Sequence, residues 1–483
     1  METSNIITLL ISLISFINIA LGIAVIFFER RDVGYTWAWL LILFTVPVVG
    51  FLIYIFLGRQ VRKENFYKLT DFEKSDFEMA VNRELEAVKE HYSHNEMLDQ
   101  YSDLINMNLN SSNAFLTTDN EISIFTTGQE KFASLFKDIK KAKEEVNIQY
   151  YIIQPDNLGK QLRDLLVQKA KEGVKVRLLF DAIGSKKISP SFYQEIIKNG
   201  GEVEVFFPSF LRLINFRINN RNHRKLCIID GNIAYIGGFN VGDEYMGMKK
   251  KFGYWRDTHL KITGNAVNHV QARFILDWVY SSKAEQVAGE DFSFTKGEHN
   301  GNSPVQIVSS GPNSKTEHLK NMYVRLIMSA KKSIYIQTPY FIPDASFMDA
   351  CKMALLSGVD LRIMIPNKPD HPFVYWATWA FAGELLSYGA KIYLYEKGFL
   401  HAKTIVVDQK TSSVGTTNID NRSFKLNFEV NATVYDKAIA DELAHIFHED
   451  IKNCSHLTIE RYEERPLSIK FKEAISRLLA PIL

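Results

Sequence analysis

The chain has 483 residues, of which 46% are hydrophobic and 23% are charged, and its formal net charge at pH 7 is +2. This composition is ordinary for a globular protein with two or three domains. The near-zero net charge argues against a nucleic-acid-binding protein, which usually carries a concentrated basic excess. The cysteines are odd in number and lack CxxC spacing, which argues against a disulfide framework and a zinc site. They are Cys227, Cys351 and Cys454.

Two uncharged stretches lie at the start of the chain, from Ile6 to Phe28 and from Tyr35 to Leu57. Each is long enough to cross the roughly 30 Å hydrocarbon core of a bilayer as a helix. Because only residues 29–34 separate them, we predict a transmembrane helical hairpin over residues 1–58. The alternative is a cleaved signal peptide, but the first stretch lacks a basic leading region and a small-residue cleavage site.

The flanking charges predict the orientation of this hairpin. Its short loop contains Arg30 and Arg31, whereas a larger group of basic residues follows the second stretch. Since positive charge favours the cytoplasmic side, the rest of the chain is expected in the cytoplasm. We therefore predict a cell-membrane protein with two membrane-spanning helices.

The body of the chain contains the same order of elements twice. Residues 59–110 are strongly charged and are predicted to form a helical connector, and two halves follow, at 111–300 and 301–483. Each half has a strand rich in β-branched and aromatic residues, then a helix, then a second strand. Apolar strands that alternate with helices predict an α/β sandwich. We expect the two halves to form a pseudo-twofold pair with a site between them.

A polar pattern recurs once in each half. HRKLCIIDGNIAYIGGFN begins at His223, and HAKTIVVDQKTSSVGTTN begins at His401. Residues i and i+2 of a strand project from the same face, so each histidine points with the lysine two residues later. The aspartate of each pattern ends its apolar run, and Asp230 precedes a glycine, so a turn is the alternative to a catalytic role for it. The residues predicted to be catalytic are His223, Lys225, Asp230, His401, Lys403 and Asp408.

The two stretches, HxKx4Dx6GGxN and HxKx4Dx6GTxN, resemble the paired signature of the phospholipase D superfamily. The flanking segments FGYWRDTHL, QTPYFIPD, GFLHAK and NIDNRSFKLNFE, with the N-terminal segment ERRDVGYTWAWLL, resemble bacterial cardiolipin synthases. This resemblance covers nearly the whole chain. The signature alone identifies only the superfamily, which includes nucleases and hydrolases, so the narrower assignment depends on the flanks and the hairpin.

The resemblance implies transfer of a phosphatidyl group from one phosphatidylglycerol to another, which gives cardiolipin and glycerol without a cofactor or a metal ion. His223 is then expected to attack phosphorus and form a phosphohistidine, while His401 acts first as acid and then as base. Lys225 and Lys403 would hold the phosphate. These residue types suit the chemistry, because a phosphodiester needs a nucleophile, a proton donor and cations near its oxygens. The expected partners are phosphatidylglycerol, cardiolipin and the membrane, with no nucleic acid.

A second group of residues is expected to bind substrate or to support the catalytic groups. Asp257 and Glu429 are candidates to accept a hydrogen bond from the histidines, and the sequence leaves open which carboxylate serves which ring. The asparagines that end each pattern are expected to donate hydrogen bonds to the phosphate. The full group is Asn240, Asn418, Asp257, Glu429, Gly238 and Thr416.

Other functions and local lipid contacts remain open at this stage. A phospholipase D hydrolase, another headgroup transferase, a nuclease or a catalytically dead membrane scaffold are the alternatives. Residues 206–221 suit an interfacial segment or an ordinary amphipathic connector equally. Residues 372–381 are predicted as a core helix rather than an acyl groove, and the C-terminal ISRLLAPIL is predicted to dock on the body rather than on the membrane.

Overall fold

The computed structural model describes residues 2–27, 33–54, 96–208, 219–282, 293 and 301–480. Most of the predicted connector and the middle of the proposed interfacial segment, residues 209–218, lie outside the described residues. The end of the second uncharged stretch and most of the loop before that stretch also lie outside the described residues.

The N-terminal region contains helices α1 (Glu2–Phe27), α2 (Val33–Thr45) and α3 (Pro47–Ile53). The prediction of one continuous second helix is wrong, because the chain breaks at Val46, which has φ −132° and ψ 71°. Pro47 explains the break, since proline disfavours helical geometry in the residue before it. Within the described part of the chain, no helix combines the length and hydrophobicity needed to cross a membrane.

Two short helices precede the first strand and pack on the second half of the body. They are α4 (Glu96–Gln100) and α5 (Ser102–Ser112). Asn108 Nδ2 donates to Gln306 Oε1 at 3.0 Å, and Gln306 in turn donates to the carbonyl of Ile105. The end of the predicted connector is therefore part of the folded body.

The first half of the body alternates strands and helices. Its elements are β1 (Leu116–Phe125), α6 (Gly128–Lys141), β2 (Glu145–Tyr150), α7 (Asn157–Lys171), β3 (Lys175–Asp181), α8 (Pro190–Lys198), β4 (Glu202–Phe206), β5 (Leu226–Ile229), β6 (Ile233–Gly237), β7 (Tyr254–Arg256), β8 (His259–Thr263) and α9 (Ala266–Ser282).

The second half repeats the main strands and helices of this order and adds short internal elements and C-terminal elements. It contains β9 (Ser303–Ser310), α10 (His318–Ser329), β10 (Ser333–Gln337), β11 (Phe341–Ile342), α11 (Ala345–Leu356), β12 (Asp360–Pro366), α12 (Pro372–Leu386), β13 (Lys391–Tyr395), β14 (Gly398–Leu400), β15 (Thr404–Val407), β16 (Thr411–Gly415), β17 (Ile419–Asp420), α13 (Asn421–Lys425), β18 (Glu429–Val434), α14 (Lys437–Ile451), β19 (Cys454–Leu457), α15 (Ile459–Glu463) and α16 (Leu467–Leu478).

Fifteen strands of the described residues form one sheet whose two sides correspond strand by strand, except for the additional edge strand β19 of the second half. From the centre outward, the first half runs β1-β8-β6-β5-β2-β3-β4 and the second runs β9-β18-β16-β15-β10-β12-β13-β19. The halves meet where β1 pairs antiparallel with β9, with Leu116 opposite Gln306. This arrangement confirms the predicted mixed α/β fold with two related halves.

The corresponding elements of the halves share local signals in the sequence. Asp156 caps α7 by accepting the N–H of Gly159, and Asp344 caps α11 by accepting the N–H of Phe347. An aspartate at this position satisfies an N–H that the first helical turn leaves without a partner. Helix α12 confirms the predicted core helix only in part, because residues 377–380 are buried, whereas residues 372–376 are exposed or half-buried.

Candidate active site

Two backbone contacts join the halves at the proposed site. Strand β14 pairs in parallel with β7, and the N–H of His401 donates to the carbonyl of Arg256. In the same way, the N–H of His223 donates to the carbonyl of Phe428 at 2.9 Å. Each histidine therefore lies next to a segment of the other half.

These contacts pair each histidine with a carboxylate of the opposite half. His223 Nδ1 lies 2.9 Å and 3.0 Å from the two carboxylate oxygens of Glu429, and His401 Nδ1 lies 2.6 Å from Asp257 Oδ2. Both carboxylates are fully buried. The sequence left open which carboxylate binds which histidine. In the structure, each half supplies the carboxylate for the histidine of the other half.

The carboxylates also fix which ring nitrogen can react. A carboxylate beside Nδ1 favours a proton on that nitrogen, so Nε2 is the nitrogen available for chemistry. Tyr151 contacts the edge of the His223 ring at a centroid distance of 4.9 Å, and Trp255 packs on the His401 ring at 5.2 Å. Hydrogen bonds and aromatic contacts together hold both rings in place.

The histidines line one cavity of about 570 Å³ between the halves. Its wall mixes aromatic, acidic, basic and amide side chains, which suits an amphiphilic substrate with a charged headgroup. In addition to the two histidines, the predicted residues Asn240 and Asn418 line the cavity. Asn240 Oδ1 accepts the N–H of Ile152, and Asn418 Oδ1 is buried with no hydrogen-bond partner among the described residues.

Lys225 and Lys403 are buried beside the histidines. Each ammonium donates to the backbone carbonyl of the histidine two residues earlier, at 2.6 Å from Lys225 Nζ to His223 O. An ammonium has three N–H donors, so this bond leaves two on each lysine. The structure therefore places both cations next to the histidines, but not on the wall of the cavity itself.

Burial controls the charge of these groups. It lowers the pKa of His223 to about 4, against the opposing charge of Glu429, and lowers the pKa of His401 to about 3. Burial also lowers the pKa of Lys225 to about 7 and that of Lys403 to about 8. A bound anion would raise all four pKa values, because an opposite charge favours the protonated forms.

The structure corrects the prediction that Asp230 and Asp408 are catalytic. Asp230 Oδ1 accepts the backbone N–H groups of Glu144 and Glu145 at 2.8 Å and 2.9 Å, and Asp408 binds the N–H groups of residues 331–333 in the same way. Five residues of extended chain span roughly 16 Å, so the aspartate lies at the far end of the strand from its lysine. Both aspartates support turns, which was the alternative interpretation.

A stability measurement separates this structural role from catalysis. Asp230→Ala and Asp408→Ala should each lower the free energy of unfolding by about 2–4 kcal/mol, because several N–H groups lose a charged acceptor. The turnover number per folded molecule should stay close to that of the wild type. Chemical denaturation and active-site titration would measure the two quantities. A loss of turnover at unchanged stability would contradict the assignment.

Two small residues in the repeated pattern support the carboxylates in different ways. A Cβ on Gly238 would lie 1.9 Å from Asp257 Oδ1, so only glycine leaves room for that carboxylate. The corresponding residue of the second half, Thr416, instead donates its hydroxyl to Glu429 Oε2 at 2.5 Å. The first copy of the pattern therefore has a glycine that leaves room for Asp257, and the second copy has a threonine that donates a hydrogen bond to Glu429.

Comparison with known proteins identifies the family. Residues 135–278 and 323–451 match the family described as "Cardiolipin synthase, PLD-like domain", and residues 16–59 match "Phospholipase_D-nuclease N-terminal". The chain is 52% identical to the major cardiolipin synthase ClsA of Bacillus subtilis (strain 168), over 99% of both chains. The chain belongs to the cardiolipin synthase family. A cardiolipin synthase of Staphylococcus aureus (strain N315) is 50% identical over 100% of this chain and 98% of its own.

Solved structures that resemble this cardiolipin synthase family member share its fold. The phosphatidylserine synthase of Haemophilus influenzae Rd KW20 has a TM-score of 0.59 at 16% identity, covering 80% of this chain and 100% of that chain. A polyphosphate kinase of Porphyromonas gingivalis has a TM-score of 0.50 at 12% identity, covering 74% of this chain and 52% of that chain.

Sequence analysis missed several residues of the cavity. Arg221 and Arg422 add cationic side chains, and Asp370 and Asp420 add acidic ones. Burial raises the pKa of Asp420 to about 6. Arg422 and Asp420 lie in the segment NIDNRS, which begins at Asn418, so nearness to the repeated pattern was a usable signal. Among the described residues, no cluster of three or more His, Cys, Asp or Glu side chains is arranged to hold a metal ion.

Proposed function

We propose that this phosphatidyltransferase joins two phosphatidylglycerols into cardiolipin and glycerol by two successive displacements at phosphorus. The observation that carries this proposal is the pair of histidines at one cavity, each held by a carboxylate from the other half. One phosphodiester replaces another in this reaction, so no nucleotide activation is needed. The relatives named as cardiolipin synthases support the choice of substrate.

In the first step, Nε2 of His223 attacks phosphorus of the donor phosphatidylglycerol. A bond forms between nitrogen and phosphorus, and the bond to the glycerol oxygen breaks. His401 gives its Nε2 proton to that oxygen, so glycerol leaves as a neutral alcohol. Asp257 stabilises the protonated form of His401, and Glu429 orients His223.

In the second step, the glycerol hydroxyl of another phosphatidylglycerol gives its proton to Nε2 of His401. Its oxygen attacks the phosphohistidine, the bond from phosphorus to His223 breaks, and cardiolipin forms. Lys225 and Lys403 balance the charge on the phosphate oxygens through both steps. Asn240 and Asn418 bind the same group from the wall of the cavity.

The lysines make a testable prediction about pH. The pKa is about 7 for Lys225 and about 8 for Lys403, so both lysines lose their positive charge in the free enzyme as the pH rises through this range. We expect kcat/KM to fall between about pH 7 and about pH 8. The fall in kcat should come at higher pH, because the bound phosphate raises both lysine pKa values. Initial rates across this range test the prediction, and a kcat/KM that rises with pH would contradict it.

The N-terminal helices are proposed to anchor the enzyme in the cell membrane as a hairpin, with α1 as one arm and the broken pair α2 and α3 as the other, and with the catalytic body in the cytoplasm. Their support is the apolar surface of α1 and α2, where Leu9, Phe16 and Leu41 are exposed. The basic residues that follow Leu57 favour the cytoplasmic side. This anchor would keep the cavity beside a high concentration of lipid alcohol, which favours transfer over hydrolysis.

Product analysis tests the function against its alternatives. Purified enzyme is incubated with phosphatidylglycerol vesicles, and the lipids and soluble products are identified by mass spectrometry. Cardiolipin with an equal amount of glycerol is the expected result. Phosphatidic acid with glycerol and no cardiolipin would instead assign a hydrolase, and absence of turnover would favour a scaffold.

A further inference from the structure

The last helix of the described residues, α16, buries two polar residues against the protein and exposes four large apolar residues. Glu473 and Ser476 are buried, with Ala480 just beyond the helix on the same side. Residues at spacings of three and four lie on one face of a helix, so this side packs against α12. Glu473 Oε2 accepts a hydrogen bond there from Arg465, at 2.8 Å. The prediction that the C-terminal segment docks on the body is therefore confirmed for this face.

The opposite face of α16 is an exposed apolar stripe. Leu467, Phe471, Ile475 and Leu478 follow spacings of four, four and three, which places them on one side of the helix. Leu467 is 83% exposed, Phe471 68% and Leu478 76%. In a water-soluble helix docked on a domain, the large apolar residues face inward. The reversed arrangement therefore calls for a partner on the outside.

Basic side chains flank the stripe on both sides. Lys470 and Arg477 lie along one edge and Lys472 along the other, at the angles expected from 100° per residue. Arg477 also binds Glu384 at 3.0 Å, and the Lys472 ammonium lies 5.4 Å from the Trp376 ring. An apolar face bordered by lysine and arginine is typical of a helix that lies in the plane of a membrane with anionic lipids.

The helix also lies close to the candidate active site. Ala480 packs with Ile342 and Ala377, and its carbonyl accepts a hydrogen bond from Asn421. Asn421 stands between Asp420 and Arg422, and both of these residues line the cavity. The residue that follows the C-terminal end of α16 therefore contacts Asn421, a direct chain neighbour of two cavity-lining residues.

We propose that the stripe formed by Leu467, Phe471, Ile475 and Leu478 inserts into the surface of an anionic lipid bilayer and seats the cavity on the membrane. The choice of an anionic surface follows from the charges that flank the stripe, and the use of this contact in catalysis rests on the proposed function. The N-terminal hairpin anchors the chain, whereas α16 sets how the catalytic body meets the lipid. The cationic flanks bind headgroups while the stripe enters the acyl region.

Fluorescence quenching tests the insertion without depending on catalysis. Full-length protein carrying Cys454→Ser and Ala474→Cys is labelled beside the stripe and reconstituted in vesicles of phosphatidylglycerol and phosphatidylcholine that contain brominated acyl chains. We expect strong quenching that weakens when phosphatidylcholine replaces phosphatidylglycerol. The control label is placed at Lys198→Cys, on an exposed position of α8. Equal quenching at the two positions, or none at position 474, would overturn the proposal.

A kinetic comparison tests whether the contact serves the enzyme. Leu467→Glu with Leu478→Glu should lower the rate on phosphatidylglycerol vesicles at least tenfold and leave the rate on monomeric short-chain phosphatidylglycerol unchanged. Leu356→Glu is the matched control, because this leucine of α11 is 75% exposed but lies outside the stripe. Equal rates of the double variant and the wild type on vesicles would overturn this use of the stripe. This use of the stripe would also be overturned if the wild type formed a dimer in detergent and the double variant did not, because the stripe would then bind a second copy of the chain.

These outcomes stay distinct from a failure of the proposed function. If the wild type makes no cardiolipin from either form of substrate, the proposed function is wrong. The quenching at position 474 would still report whether α16 lies in the bilayer.

Discussion

Replacement of His223 by alanine is expected to lower the rate of cardiolipin formation by on the order of 10⁴-fold or more, and His401→Ala should have a similar effect. His223→Ala removes the proposed nucleophile, and His401→Ala removes the proposed proton donor for glycerol. Both rings are held from the opposite half of the chain, by Glu429 and Asp257. We therefore expect no neighbouring side chain to take over the role of the missing imidazole.

The measurement is turnover on phosphatidylglycerol, with circular dichroism and thermal unfolding to show that each variant folds. His456→Ala is a suitable control, because this histidine is exposed on the edge strand β19. Turnover within about tenfold of the wild type in His223→Ala would rule out this residue as the nucleophile.

Lys225→Ala and Lys403→Ala are expected to abolish measurable turnover while leaving the fold intact. Each lysine is buried beside a histidine and is proposed to balance the charge of the bound phosphate. In a site shielded from water, removal of such a charge costs several powers of ten in rate. Lys261→Ala provides the control, since Lys261 binds Asp138 away from the cavity.

A rate near that of the wild type in either variant would show that the replaced lysine is not an essential phosphate ligand. The fold of both variants should be checked by the same unfolding measurement, because each lysine also donates a hydrogen bond to a backbone carbonyl. A variant that loses activity only by unfolding would leave the phosphate role without support.

The sequence predicted the repeated halves and the two histidines because both follow from local patterns. The strands are apolar runs, and the spacing of His223 and Lys225 places them on one face of an extended chain. The same spacing rule limits Asp230, which is five residues beyond its lysine and lies at the far end of the strand. A length estimate applied to the strand would have separated Asp230 from the site.

The pairing of histidines with carboxylates was out of reach of the sequence. Asp257 lies 144 positions from its partner His401, and Glu429 lies 206 positions from His223. Their contacts depend on β7 pairing with β14 and on the bridge between Asn222 and Phe428. Short pairings of this kind carry no pattern in either strand and arise only when the two halves dock.

The outward apolar stripe of α16 shows a different limit. Its amphipathic pattern was visible in the sequence, but periodicity does not tell which face meets the protein. Glu473 takes an inward position where Arg465 binds its carboxylate, and the small Ser476 is buried on the side that packs against α12. Tertiary contacts, rather than the pattern, leave Leu467 and Phe471 facing out.

The stereochemistry at phosphorus tests the two-step mechanism most directly. Phosphatidylglycerol of one known configuration at phosphorus, made with oxygen isotopes or sulfur, is converted to cardiolipin, and the product is analysed by phosphorus NMR. Two in-line displacements through His223 each invert the configuration, so every phosphorus atom of the product should show retention. If one lipid attacked the other directly, the transferred phosphorus would be inverted and only the acceptor phosphorus retained. Inversion at half of the phosphorus atoms would therefore contradict a phosphohistidine intermediate and leave His223 as a general base.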